Sequence, residues 1–386
     1  GGTTKIGSDT DTNAVYVGYS SWYQAVVTVD NLEDGACINL EPEYLFQKNR
    51  ELVKGANTSS YASSYKGYFH LTGIKAGETW RLQPNAGNNA LVLQEIIDGG
   101  DGSSSGAWKK LNEAVTRARE NDVILVKGTI KATNDTDNSG EILVNNKKIT
   151  IKKEGTADVV IDANTKSRIF KISGVAELTL DGVELKNGKV TGNGGGILVD
   201  NSGKLTMING SKITSCEATG SSGGRGGAIC LSGASPVVRI TGGELSGNTA
   251  VTGGAVDVSG GKLYINTNDD GTPDGEQTTQ IKNNTIKTAS SSDTLFGGAV
   301  RSSSGTNLYI YNAVIKECKA IAAASAIKAK GAGLYIEGNA TLIKTEISGC
   351  KFGTESSGTF SETNGGGIYV DKKGICNINE GGMIKK

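Results

Sequence analysis

Gly226-Gly227-Ala228-Ile229, then Val238-Arg239-Ile240, then Leu245-Ser246-Gly247-Asn248, then again Gly253-Gly254-Ala255-Val256: the fold is decided by this stretch. A glycine pair leads into an aliphatic residue. An alternating strand follows. An aliphatic residue three places before an asparagine closes the unit, and the pattern restarts. The first motif also stands at Gly194-Gly195-Gly196-Ile197, Gly297-Gly298-Ala299-Val300, Gly331-Ala332-Gly333-Leu334 and Gly365-Gly366-Gly367-Ile368. Its aliphatic residues are 32, 27, 44, 34 and 34 positions apart. The second motif runs Ile213…Cys216, Leu245…Asn248, Ile281…Asn284, Ile315…Cys318 and Ile347…Cys350, with Leu185…Gly188 as a degenerate first copy. Between them lie Leu205-Thr206-Met207, Val238-Arg239-Ile240, Leu263-Tyr264-Ile265 and Leu308-Tyr309-Ile310, with a looser copy at Thr341-Leu342-Ile343.

Each unit thus reads as three short strands with period-2 alternation. So small a unit cannot bury its apolar face alone, whereas stacked copies can. Three strands per unit predict a triangular coil, an all-β, right-handed parallel β-helix. Nine or ten coils at ~4.8 Å per rung give a rod of roughly 45 Å. The aliphatic residues of the first motif should form one buried column. Glycine permits positive φ where the chain re-enters the coil. Asparagines at a stacked inward turn can bond along the ladder, and cysteine, small and readily buried, fills the same slot. Cys318 and Cys350 are expected there as free, buried thiols.

Ala107–Glu120 sets Trp108, Leu111, Val115 and Ala118 on one helical face. Ser103–Ser105 offers N-caps. This helix should cover the open end of the first coil. Early coils without the motifs run through Ile142–Ile151, Val159–Ile161 and Ile169–Ile172. At the other end, Gly381-Gly382-Met383-Ile384 aligns with Gly242-Gly243-Glu244-Leu245, which reads as a chain that continues or is truncated. Gly1-Gly2-Thr3-Thr4 reads as a tag scar or a processed end.

The glycine-pair and aliphatic-x-x-Asn motifs resemble the polymorphic outer-membrane protein repeats of bacterial surface proteins. The opening helix and strand are similar to those of a pectate-lyase-like β-helix. The resemblance covers about residues 106–386. The family's Phe is replaced by Ile or Leu here, and its Asn by Cys in three copies. The resemblance implies an exported, surface-displayed passenger with an adhesive role. The membrane β-barrel that such families often carry does not occur in this sequence.

Composition agrees. Among 386 residues there are 56 glycines, 4 prolines and one histidine, with 40 basic against 40 acidic side chains. No Gly-X-Y period exists, so collagen is excluded. Zero net charge removes the electrostatic footprint of a nucleic-acid binder. Six cysteines show no zinc spacing.

Composition also breaks near residue 98. Residues 1–98 hold 10 of the 56 glycines but 11 of the 21 aromatics. We read residues 1–98 as a small β-sandwich-like domain, 99–106 as a flexible polar linker, and 107–386 as the β-helix. Strands are expected at Ala14–Tyr19, Trp22–Val29, Ala36–Leu40, Gly67–Leu71, Thr79–Leu82 and Ala90–Ile97. Tyr16, Tyr19, Trp22 and Tyr23 form either the core of that domain or a sugar-stacking platform.

β-Helices also host polysaccharide lyases and hydrolases. Arg225, Arg239 and Arg301 fall on different repeats with no acid cluster evident around them. Asp200 and Asp371 read as turn residues, and His70 as a strand residue. No catalytic residue is assigned. Asn266, Asn268, Asp270 and Asp274 place side-chain oxygens at positions 1, 3, 5 and 9 of a loop with Gly271 at position 6, the spacing of a calcium loop. Asn at position 1 and Gln277 at position 12 lower its charge. A plain turn-forming loop is the competing reading. The expected function is a non-enzymatic bacterial cell-surface or secreted protein, an adhesin or structural passenger for a host or matrix glycan or protein. The alternatives are a carbohydrate-active enzyme and a subunit of an end-to-end surface assembly.

Overall fold

The computed structural model describes residues 90–385 apart from 221–222, 289, 291–292 and 356–357. Before them it describes residues 15–17, 26–29, 38–42, 51–55, 69–71, 80–84 and 88. The chain forms two compact units, Gly1–Ile97 and Asp98–Lys386.

In the first unit, two sheets enclose one core. Val15–Val17, Ile38–Pro42 and Phe69–Leu71 form the first sheet. Val27–Val29, Glu51–Gly55, Ala90–Asp98 and Trp80–Pro84 form the second. Ile38, Leu40 and Phe69 of the first meet Leu52, Val53, Leu82, Leu91 and Leu93 of the second. The two layers are those of a sandwich, but the pairing differs from an antiparallel one. Val15 pairs in parallel with Leu40, and Leu40 with Leu71. Parallel neighbours need crossovers, so this sheet is built by returning chain rather than by hairpins. The strand Glu51–Gly55 was not foreseen, because its Glu-Leu-Val-Lys-Gly sequence carries only two apolar residues.

The second unit is a parallel β-helix. One sheet stacks nine strands from Thr129–Lys131 to Met383–Ile384, and another eight from Ile142–Asn145 to Ile368–Val370. A third face runs from Asp122–Lys127 to Ile375–Asn379. The expected columns form in register. Ile197, Ile229, Val256, Val300, Leu334 and Ile368 are consecutive partners. The first five are fully buried and Ile368 partly so. Leu185, Ile213, Leu245, Ile281, Ile315, Ile347 and Ile384 make a second column. Each fully buried side chain of these columns contributes about 1.5–3 kcal/mol by leaving water. The early coils join the same registers, with Ile142 on Phe170 and Ile161 on Leu185. One triplet shifts: Leu308 pairs Ala340, not Thr341.

Three strands per coil is an undercount. A six-stranded sheet, from Lys189–Thr191 to Lys351–Thr354, follows the Asn/Cys turn. A three-stranded sheet adds Thr294–Phe296, Ile327–Lys330 and Phe360–Asn364. Chain assigned to corner loops therefore pairs as well, because stacked loops of similar length find the same backbone partners.

Helix α1, Ala107–Arg117, buries Ala107, Trp108, Leu111, Ala114 and Val115, the predicted face. It packs on Thr129–Lys131 and Ile142–Asn145 of the first coil. Trp108 Nε1 donates to the Gly140 carbonyl at 3.0 Å. The serines do not cap it. Gly106, with φ of 95°, holds the N-cap position without a side-chain bond, and Asn138 accepts from the Lys109 N–H instead. At the other end Lys147 Nζ donates to the carbonyls of Val115, Thr116 and Ala118, where a cation also meets the negative end of the helix dipole. The expected linker is not loose. Gly99 N donates to Lys127 O, and Thr129 N to Gly100 O.

The inward ladder explains the second motif. Asn248 Oδ1 accepts from Cys216 N at 2.9 Å, and its Nδ2 donates to Ile213 O at 3.0 Å. Asn284 repeats this one rung on, to Asn248 N at 3.0 Å and Leu245 O at 2.9 Å. Each asparagine thereby closes the turn of the rung before it. Cysteine substitutes through sulfur: Gly188 N donates to Cys216 Sγ at 3.3 Å. The residue before each slot takes positive φ: Asn187 55°, Ser215 54°, Gly247 65°, Asn283 56°, Glu317 56° and Gly349 60°. The glycine pairs serve two needs. Gly226 sits at φ 66°, and a Cβ there would lie 2.1 Å from Ile229 O. At Gly298 the φ is ordinary, but a Cβ would lie 2.0 Å from Ala332 O on the next rung.

Cys216, Cys318 and Cys350 are free thiols; the first two are buried, whereas Cys350, expected buried, is only partly so. Burial pushes Cys216 up to about 12. The hydrogen bond shared with Cys350, together with burial, holds Cys318 well above the ordinary thiol range. The same bond lowers Cys350.

Two outcomes are expected. Asn284→Ala leaves Asn248 N–H and Leu245 O without partners, and should lose about 2–4 kcal/mol in urea unfolding. Asn284→Cys should lose clearly less, and equal losses would show that the ladder bonds do not matter. Alkylation of the native protein at pH 8 should label Cys350 before Cys216 and Cys318, since the thiolate is the nucleophile. Denaturing alkylation without reductant should recover Cys318 and Cys350 unlinked, and a crosslinked peptide in the mass spectrum would refute this.

Candidate binding surface

The residues read as a calcium loop lie in a small hairpin, bridged at Thr267 and Pro273. Asn266 is fully buried. Its Oδ1 accepts from Gly242 N at 2.8 Å and Thr279 Oγ1 at 3.1 Å, and its Nδ2 donates to Tyr311 O and Asn312 O. It is a corner residue of the coil, with φ of 52°. Asp270 Oδ1 accepts from Thr272 N at 2.9 Å and Thr272 Oγ1 at 2.6 Å. Those bonds, the hydroxyl first, lower its pKa. Asn268 Nδ2 donates to Thr272 Oγ1. Asp274 accepts from Thr241 Oγ1 on the preceding rung. The structure thus gathers Asn268 and Asp270 around Thr272, and turns Asn266 and Asp274 toward the coil. Among the described residues, no group of three or more His, Cys, Asp or Glu side chains is placed to hold a metal ion.

The other sequence candidates take structural posts. Asp200 Oδ1 accepts from Asn201 N. Asp371 accepts from Lys372 N at 2.7 Å and from Tyr335 Oη at 2.9 Å, and the Lys372 amide in particular lowers its pKa. His70 is exposed in its strand, opposite Asn39. Tyr16 belongs to the strand Val15–Val17, while Tyr19, Trp22 and Tyr23 lie outside the described residues.

The eight-stranded sheet carries a cluster that the sequence reading missed. Its strands alternate, so the residue after each column aliphatic points outward. Those residues stack as Leu198, Cys230, Asp257, Arg301, Tyr335 and Tyr369. Alongside runs a second row, Arg225, Thr252, Phe296 and Lys330. Asp257 is fully buried at this seam. It accepts from Thr252 Oγ1 at 2.9 Å, from Ser259 Oγ, and from Arg301 Nη1 at 3.1 Å. A single acid, Asp257, stands between Arg225 and Arg301. It sits one rung from each, which sequence separation hides.

Aromatic side chains extend the row. Phe296 and Tyr335 meet with ring centroids 4.5 Å apart. Tyr335 and Tyr369 stack at 5.7 Å with an 8° interplanar angle. Lys330 Nζ lies 5.0 Å from the Tyr369 centroid, and the Arg301 guanidinium 5.8 Å from that of Phe296. Burial, with the hydrogen bond to Asp371, raises the Tyr335 phenol well above its ordinary pKa. Burial first, and Asp257 second, do the same to the Cys230 thiol.

No protein-family model matches the chain. No curated protein matches it either. Among solved structures it is similar to a TibC-catalysed, hyper-glycosylated TibA fragment, at 15% identity and a TM-score of 0.16, over 69% of this chain and 92% of that one. That likeness is too slight to bear on what this chain does.

Proposed function

We propose that this chain is a non-enzymatic bacterial cell-surface or secreted protein, an adhesin or structural passenger displayed outside the cell or on its outer membrane. The observation that carries the reading is the row on the eight-stranded sheet. Charged and aromatic side chains line up rung upon rung along the coil, and each is fixed by its neighbour. Arg225, Arg301, Phe296, Lys330 and Tyr369 stay partly exposed along it, which offers a long polymer contacts on successive rungs. A host or matrix glycan or protein is the partner class it fits.

The enzyme reading gains one specific observation, the meeting of Arg225, Asp257 and Arg301. Yet both oxygens of Asp257 are occupied by Arg301, Thr252 and Ser259, and the carboxylate is fully buried. It serves as a strut between rungs. The test runs a glycan array and matrix-coated surfaces in parallel with a depolymerisation assay. We expect binding without release of new reducing ends. Turnover of any bound polysaccharide would replace this reading with the enzyme reading.

Calcium at the hairpin is a separate proposal. Calcium takes six to eight oxygen ligands, and the Asn266 carbonyl oxygen already accepts two bonds inside the coil. We propose that Asn268, Asp270 and Asp274 hold the ion weakly, with solvent completing its shell. Calorimetry should show a millimolar heat that Asp270→Ala removes. No heat in the unaltered protein would end the proposal.

A further inference from the structure

Two arginines from different rungs converge on one hydroxyl. Arg225 Nη1 donates to Ser259 Oγ at 3.2 Å, and Arg301 Nη1 reaches the same oxygen at 3.4 Å. Like charges so close destabilise each other unless an anion joins them. The carboxylate at the seam, Asp257, pairs only Arg301, and its other bonds come from Thr252 and Ser259. Arg225 makes no ion pair among the described residues. The Arg301 side chain is only 14% exposed, and its Nε is buried with no hydrogen-bond partner. Donor capacity at this seam therefore exceeds acceptor capacity, and the surplus is guanidinium. Planar guanidinium forks match two-oxygen anions better than any other side chain does.

We infer that Arg225, Ser259 and Arg301 form a subsite for an oxyanion carried by an acidic polysaccharide, a carboxylate or sulfate group presented along the row of Phe296 and Tyr369. The inference rests on the adhesive reading above and names its ligand class. A polymer fits because the subsite lies within a row that continues over further rungs. A nucleic acid does not, since the chain balances 40 basic against 40 acidic residues and gives no broad positive field. The serine hydroxyl gives its proton to Asp257 and accepts from Arg225 and Arg301, and so fixes both guanidiniums at the subsite.

Calorimetry of the whole chain tests this with three probes: heparin fragments for sulfate, oligouronates for carboxylate, and dextran as the neutral control. The unaltered protein should bind at least one acidic probe and not dextran, with affinity falling as salt rises. Arg225→Gln should weaken that binding tenfold or more while melting normally, and Arg225→Lys should restore part of it. Lys212→Gln, which removes an exposed charge on the nine-stranded sheet, should leave it unchanged. Arg301 is a poor probe, because its loss strands the buried Asp257. Equal binding by Arg225→Gln and the unaltered protein overturns the inference, as does equal weakening by Lys212→Gln. Adhesion to matrix without any acidic binding overturns the inference and leaves the adhesive reading standing. Absence of adhesion to every surface overturns the reading beneath it.

Discussion

Each rung of the coil hangs from the next by backbone hydrogen bonds, and this one ladder constrains everything else. Ile197 N donates to Ala228 O, Ile229 N to Ala255 O, Val256 N to Ala299 O and Leu334 N to Gly367 O. Parallel strands lie about 4.8 Å apart, so every side chain meets its own equivalent on the rungs above and below. Aliphatic must therefore stack on aliphatic inside. Outside, opposite charges meet on several neighbouring rungs. Lys148 pairs Glu177, and Glu177 pairs Lys204, with ion pairs of 3.5 and 2.7 Å. Those bonds lower the Glu177 pKa, Lys204 foremost. Singly such surface pairs are worth about 0–1 kcal/mol. Their arrangement matters more as avoided repulsion.

The ladder also explains what the sequence made legible. Positions that face inward on every rung must repeat in kind, so the glycine pair, the column aliphatics and the Asn/Cys slot stand out by eye. Positions that face a turn need only a backbone conformation. The left-handed residue before the slot is Asn, Ser, Gly, Asn, Glu and Gly on successive rungs, and that variety concealed it. Corner strands escaped notice for a related reason. Thr294–Phe296 and Ile327–Lys330 pair because neighbouring loops match in length, which no single copy reveals. The parallel pairing of Val15, Leu40 and Leu71 lacked any motif.

The candidate site was the least legible part. Arg225, Asp257 and Arg301 are separated by 32 and 44 residues, yet share hydrogen bonds through Ser259. Once the aliphatic column is known, moving one residue along each strand reads out Cys230, Asp257, Arg301, Tyr335 and Tyr369 directly. The signal existed, but only relative to a register. The calcium spacing shows the reverse case. Asn266 satisfies a loop motif in sequence, while in space it belongs to the corner of the coil and spends its amide there.

The stacking of rungs has a consequence under load. The first rung is closed by α1, with Trp108 seated on Gly140 and Lys147 binding three carbonyls at the helix terminus. On the last described rung Ile375, Ile378, Met383 and Ile384 are 45–56% exposed. Tension along the axis would pull directly against the rung-to-rung bonds, so the coil would yield by peeling, rung after rung, rather than by shearing. Each released rung frees about 34 residues, roughly 110 Å of extended chain. A tether that lengthens stepwise absorbs sudden force without letting go at once.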